Sequence, residues 1–187
     1  MSKLYKTVDL GPSEEIIRSY VLANCLSPDE MTIQSKILKF GNYPNLKDFL
    51  NTNLQSFYNA IGQELTVNDG VIIFGVKPEA SIRLHVDGFS LDRKHAKNYA
   101  LNIPLANCDM GVMHWYNGDY TLTEQKTEEA LQYLKLTWNS PPVIIDSAII
   151  DTPTIVKVDI PHNVHNHSPK HRLILSLRFV PDIPTDW

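Results

Sequence analysis

The chain has 187 residues, 43% of them hydrophobic, enough for one domain with a substantial core and too few for two full ones. Seventeen Lys and Arg stand against 21 Asp and Glu, a formal net charge of −4 with no long run of either sign, which disfavours a nucleic-acid-binding arm or a membrane-binding helix. No stretch approaches the roughly 18 consecutive apolar residues of a membrane span, MSKLYKTVDLGPSEE lacks the apolar centre of a secretory leader, and Cys25 and Cys108 lie far apart, so the expectation is a reduced, cytoplasmic protein.

The first element is a short amphipathic helix in PSEEIIRSYVLANCL, with Pro12 and Ser13 at its start, acids in its first turn, and Ile16, Ile17, Tyr20 and Leu22 or Ala23 at near-helical spacing. In NLKDFLNTNLQSFYNAIG the apolar positions Leu46, Phe49, Leu50, Leu54, Phe57, Tyr58 and Ile61 recur at intervals of three and four and end at Gly62, which predicts a second helix.

From Gly70 the texture changes. VIIFGV, ASIRLHV, YALNIPL, GVMHWYN, PVIIDSAII, PTIVKVDI and HRLILSLRF are short, rich in β-branched or aromatic residues and punctuated by Gly, Pro, Asn and Asp, which reads as a run of short strands. TLTEQKTEEALQYLKL interrupts them; Thr123, Lys126 and the acids that follow read as a helical or loop insertion. The expected architecture is a single domain, 1–187, mainly β with flanking helices: a helical N-terminal flank over 1–69 packed on an antiparallel sandwich or small barrel over 70–180.

IRLHVDG holds the first candidate functional pair. On a strand, residues i and i+2 share a face, so His85 and Asp87 project together and make a pincer for a metal ion. Alone, the pair is as well explained by a polar surface, and a third ligand is needed. DIPHNVHNHSPKHRLILSLRF supplies candidates, His162, His165, His167 and His171, while the Cys-containing patterns of structural zinc are absent. Two imidazoles and one carboxylate with open positions left over form the facial triad of non-haem Fe(II) oxygenases.

HVD, then YALNIPL, then HNVHNHSPKHR resembles the 2-oxoglutarate/Fe(II)-dependent oxygenase superfamily, over roughly residues 80 to 180. The resemblance implies a double-stranded β-helix of jelly-roll or cupin-like form, with His85, Asp87 and His162 as metal ligands. It implies Arg172, ten residues after His162, as the anchor for the far carboxylate of 2-oxoglutarate. A planar guanidinium suits that task, since it grips a carboxylate through two parallel charge-assisted hydrogen bonds. The family commonly has Ser or Thr two places after the Arg; here Ile174 stands there and Ser176 lies two further.

By strand parity Arg172, Ile174 and Ser176 share one face and Leu173, Leu175 and Leu177 the other, so an inward Arg172 places the leucines under the helices. His165, His167 and His171 are rivals to His162, or polar residues of an exposed turn around Ser168 and Pro169. Arg178 shares the face of Arg172 and is a rival anchor, its simpler reading being a surface ion pair. Asn102 is either a further polar contact or a loop-end residue. HWYNGDY supplies aromatics for a pocket wall, or a partly buried strand and turn. DRKHAK, with His95, reads as a solvated loop.

The function implied is oxidative decarboxylation of 2-oxoglutarate, with dioxygen, coupled to hydroxylation of a small molecule or of an amino-acid or peptide side chain. Two readings compete: a cupin-like module that binds a metal or ligand without redox turnover, and a metal-free interaction domain in which the histidines are incidental.

Overall fold

The computed structural model describes residues 3–68, 70–87, 98–126 and 132–184 of the chain. In chain order the elements are β1 (Tyr5–Thr7), α1 (Ser13–Asn24), β2 (Ser35–Lys39), α2 (Leu46–Asn53), α3 (Gln55–Ile61), β3 (Thr66–Val67), β4 (Gly70–Val76), β5 (Ala80–Ser81) and β6 (His85–Val86). They continue with β7 (Tyr99–Ala106), β8 (Gly111–Asn117), β9 (Tyr120–Lys126), β10 (Gln132–Trp138), β11 (Val143–Ile149), β12 (Thr154–Lys157), β13 (His162–Asn166), β14 (Arg172–Leu177) and β15 (Phe179–Val180).

Two antiparallel sheets face each other. The first runs β1-β12-β7-β14-β4-β2, the second β11-β8-β13-β6-β10-β9 with β5 paired to β13, and β15 pairs β3 apart from both. From β4 onward the chain crosses from one sheet to the other and back, through β6, β7, β8, then β11, β12, β13 and β14. That winding is the double-stranded β-helix, or jelly roll, expected above.

Alternation along the strands sorts the chain into two cores. On β14, Leu173, Leu175 and Leu177 join Leu101 and Ile103 of β7 and Ile73 of β4 beneath the helices. Ile174 instead faces the barrel interior with Val76, Ala100, Met113, Trp115, Val156 and Val164. The helices close the first core with Ile17 and Val21 of α1, Leu46 and Leu50 of α2, Leu54, and Phe57 and Tyr58 of α3. Fully burying each such side chain contributes about 1.5–3 kcal/mol.

The second predicted helix is two. The chain breaks at Leu54 between α2 and α3, yet Leu54 stays fully buried, and the end lies at Gly62, whose φ of 72° is the left-handed conformation that favours glycine. The N-terminal 1–69 also contributes strands, β1 on one edge of the first sheet and β2 on the other.

TLTEQKTEEALQYLKL is not helical where it is described. β9 and β10 pair antiparallel from Gln132↔Lys126 to Trp138↔Tyr120, and residues 127–131 of that reading lie outside the described residues. Its acids and Thr123 mimic a helix start, but β10 also pairs with β6 through Leu134↔Val86 and Lys135↔His85, and this sheet pairing overrides local propensity. DRKHAK with His95 also lies outside the described residues. Among the described residues, no helix is long and apolar enough to cross a membrane.

Candidate metal centre

His85 opens β6, and Asp87 follows Val86, its backbone N–H donating to Val158 O at 3.0 Å. His162 opens β13 and is the residue directly paired with His85 across the ladder. This pairing brings the two halves of the sequence motif together: their rings lie 4.4 Å apart, and one ligand atom from each of His85, Asp87 and His162 lies within 4.8 Å of the others. Asp87 Oδ1 is 3.3 Å from His85 Nε2 and 3.9 Å from His162 Nε2.

Both imidazoles are oriented from behind. His85 Nδ1–H donates to Arg83 O at 2.8 Å and His162 Nδ1–H to Ile160 O at 2.9 Å, which leaves both Nε2 lone pairs facing Asp87. Backbone acceptors on the far nitrogen fix the tautomer that metal ligation requires.

The electrostatics keep the carboxylate ionised and one of the two imidazoles neutral. Burial opposes the charge on Asp87, but the Arg178 guanidinium and the two imidazoles outweigh it and hold the carboxyl far below the usual range. For His85 burial is outweighed by the hydrogen bond and charge of Asp87, and its pKa rises. Burial and the neighbouring His85 push His162 down to about 4, so His162 is neutral at any ordinary pH.

Arg178 therefore does not make the surface ion pair expected of it. Its Nη2 donates to Asp87 Oδ2, and the side chain is only 13% exposed. Its Nη1 donates to Ser176 Oγ at 2.7 Å, and Ser176 Oγ–H donates to Asn102 Oδ1 at 2.6 Å. A partly buried polar chain thus runs from β7 through β14 to the carboxylate. Strand parity already placed Arg178 on the inner face; that Asp87 is its partner is visible only in three dimensions.

Arg172 opens β14, points into the barrel and is 1% exposed. It makes no hydrogen bond among the described residues, and its Nε is buried without a partner. Burial lowers its pKa. Its Nε and Cδ pass over Gly111, which pairs with Asn166, whereas Trp115 pairs with His162. Gly111 and Trp115 are four residues apart on one strand, so Arg172 lies about 13 Å along the barrel from the row of His162. A buried cation without a partner among the described residues is costly unless something anionic meets it, and this one lies in the same interior as His85, Asp87 and His162.

The other candidates fall elsewhere. His171 Nε2 bonds to Ile33 O at 2.8 Å. His165 and His167 lie with His114 on the outer face of the second sheet, as the register of β13 against β8 requires. In HWYNGDY, Trp115 is fully buried, its Nε1–H donating to Lys157 O at 2.8 Å, while Tyr116 faces outward and bonds Asn163.

No protein-family model matches the chain, and no curated protein matches it. Solved structures do. The non-haem α-ketoglutarate-dependent carbocyclase SnoK from nogalamycin biosynthesis is 14% identical, with a TM-score of 0.53 over 95% of this chain and 79% of its own. EvdO2 from Micromonospora carbonacea var. aurantiaca is 12% identical, with a TM-score of 0.53 over 94% and 85%. The epimerase SnoN, solved in complex with Fe3+, α-ketoglutarate and nogalamycin RO, is 11% identical, with a TM-score of 0.50 over 94% and 78%. At such identities the likeness is one of fold.

Proposed function

We propose that the chain is a non-haem Fe(II), 2-oxoglutarate-dependent oxygenase that hydroxylates a small molecule or an amino-acid or peptide side chain and works in the cytoplasm. The observation that carries this reading is the convergence of His85, Asp87 and His162 within 4.8 Å, in a barrel that also buries the unpaired Arg172. The donor set fits the ion: two neutral imidazole nitrogens and one carboxylate oxygen from adjoining strand ends leave open positions. The two buried cysteines are free thiols, in keeping with a reducing compartment.

In this reading His85, Asp87 and His162 hold Fe(II), and Arg172 takes the far carboxylate of 2-oxoglutarate by a bidentate contact. When bound, iron with 2-oxoglutarate and dioxygen supplies oxidising power toward a substrate C–H bond, with succinate and carbon dioxide as co-products. The protein's part is positional. Arg83 O and Ile160 O hold the imidazoles in the ligating tautomer. Arg178 occupies Asp87 Oδ2 and presents Oδ1. The apolar lining of Val76, Met113, Trp115, Val164 and Ile174 excludes water from the space between the ligands and Arg172.

The test is anaerobic loading with Fe(II), followed by succinate release from 2-oxoglutarate in air, for the wild type, His85→Ala, His162→Ala and Arg172→Ala. Turnover that disappears in both His variants, and returns in Arg172→Ala only at high 2-oxoglutarate, is expected. A wild type that binds no iron would sink the reading and leave a metal-free interaction domain. Tight iron binding with no succinate across a panel of candidate substrates would leave the cupin-like binding module.

A further inference from the structure

We infer that Asn166 is a positioning residue for Arg172: by engaging the backbone carbonyls around the start of β14, it keeps the buried guanidinium available to an anionic ligand. The inference rests on the reading of Arg172 as the anchor for the far carboxylate of 2-oxoglutarate, and concerns what leaves that anchor free.

Asn166 ends β13 on the inner face and has no exposed surface. It pairs with Gly111, and Arg172 passes over Gly111, so Asn166 and Arg172 flank one point of the barrel interior. Directly opposed residues hold their Cβ positions about 4.5–5.5 Å apart, which puts the Asn166 amide beside the Arg172 side chain. A carboxamide there is a natural partner for a guanidinium, yet Arg172 Nε has no hydrogen bond among the described residues. The amide is engaged elsewhere. Asn166 Nδ2 donates to Lys170 O at 2.8 Å and, at 3.1 Å each, to Val76 O and Lys77 O, while Oδ1 accepts from the Ser168 N–H at 3.0 Å.

Those carbonyls are the near alternatives for Arg172. Val76 stands directly opposite Arg172 in the β14–β4 ladder, and Lys170 precedes Arg172 by two residues. The carbonyls on either side of Arg172 in the chain are also engaged by side chains: His171 O accepts from Asn107 Nδ2 at 2.8 Å, and Leu173 O from the Cys108 thiol at 3.0 Å. A buried carbonyl without a donor draws any neighbouring N–H, because burial without a partner is costly for both groups. With these carbonyls supplied by side chains, three of them by Asn166, the 1% exposed guanidinium is left to a ligand.

The experiment titrates 2-oxoglutarate and 2-oxobutyrate separately into the Mn2+-loaded protein by calorimetry. Both carry the same keto-acid end, and only 2-oxoglutarate has a far carboxylate. The wild type should prefer 2-oxoglutarate by about 10–100-fold, the range of a charge-assisted contact. Asn166→Ala should lose about tenfold or more in 2-oxoglutarate affinity while binding 2-oxobutyrate as the wild type does. Arg172→Met should lose the preference, and adding Asn166→Ala to it should change 2-oxoglutarate affinity no further, as expected of two residues that act through one contact. Asn166→Ser keeps one O–H donor and carries the same test where Asn166→Ala lacks the wild-type circular dichroism. An Asn166 variant that retains the preference, or that weakens both keto acids alike, overturns the inference and leaves Asn166 as a brace of the turn after β13. A wild type that binds neither keto acid, or both equally, removes Arg172 from its assigned role, and the inference falls with it.

Discussion

Arg172 crosses Gly111 so closely that a Cβ on Gly111 would lie 2.3 Å from Arg172 Nε and 2.5 Å from its Cδ. The inward path of the guanidinium exists because this position of β8 has no side chain. Gly111→Ala should therefore displace Arg172, weaken 2-oxoglutarate binding by roughly 10–100-fold through the loss of a charged hydrogen bond, and cost about 1–3 kcal/mol from overpacking. Metal affinity should not change. Titration of 2-oxoglutarate and a divalent metal separately into the variant checks both halves; an unaltered 2-oxoglutarate affinity would remove Arg172 from its assigned place.

Arg178 and Asp87 make the second prediction. Because the guanidinium holds Oδ2 of the carboxylate, Arg178→Met should free Asp87 to rotate and lower metal affinity by about 10–100-fold, with partial recovery in Arg178→Lys. The readout is Co2+ affinity together with its visible absorption, which reports how the ion is coordinated. Wild-type affinity and spectrum in Arg178→Met would show that the pair has no bearing on the site.

Metal affinity should depend on pH with the order of one proton. Both imidazoles must be neutral to bind; His162, held at about 4, already is, whereas His85 is raised by Asp87 and must lose its proton. As pH falls from above the ordinary histidine value, affinity should decline about tenfold per unit. The slope should double only near pH 4, where His162 begins to take up a proton. A slope of two protons near neutrality would contradict the assigned environments.

The proposal that residues 1–187 fold as one domain is tested at Leu50, which is fully buried between α2 and the first sheet. Leu50→Ala should destabilise the protein by about 2–5 kcal/mol while keeping a single denaturation transition. Metal stoichiometry below that transition should match the wild type. Two separated transitions would show that the helical flank and the barrel unfold independently.

Local periodicity placed the elements better than their exact faces. The first helix forms where expected with Ile17 buried, but Ile16 of its expected stripe is 47% exposed and Val21, outside that stripe, is fully buried; on β14, Leu173, Leu175 and Leu177 turn to the helices while Arg172 turns inward. Periods of 2 and 3.6 residues are properties of the backbone itself, so a few consecutive residues suffice to reveal them. The same rule put His85 and Asp87 on one face.

What the linear order leaves open is which distant strands pair. TLTEQKTEEALQYLKL is strand rather than helix because β10 docks on β6, and β1 and β2 are strands because they complete the edges of the first sheet. The register His162↔His85 selects His162 from four nearby histidines, and the same register, carried three and five residues along β13 and past its end, sends His165 and His167 to the opposite face. Arg178 meets Asp87 across 91 residues of chain. Side-chain type and spacing thus determined which groups were available on which face. Which groups share one point in space was decided by ladder register, because a one-residue slip exchanges the two faces of a strand and no local preference opposes it.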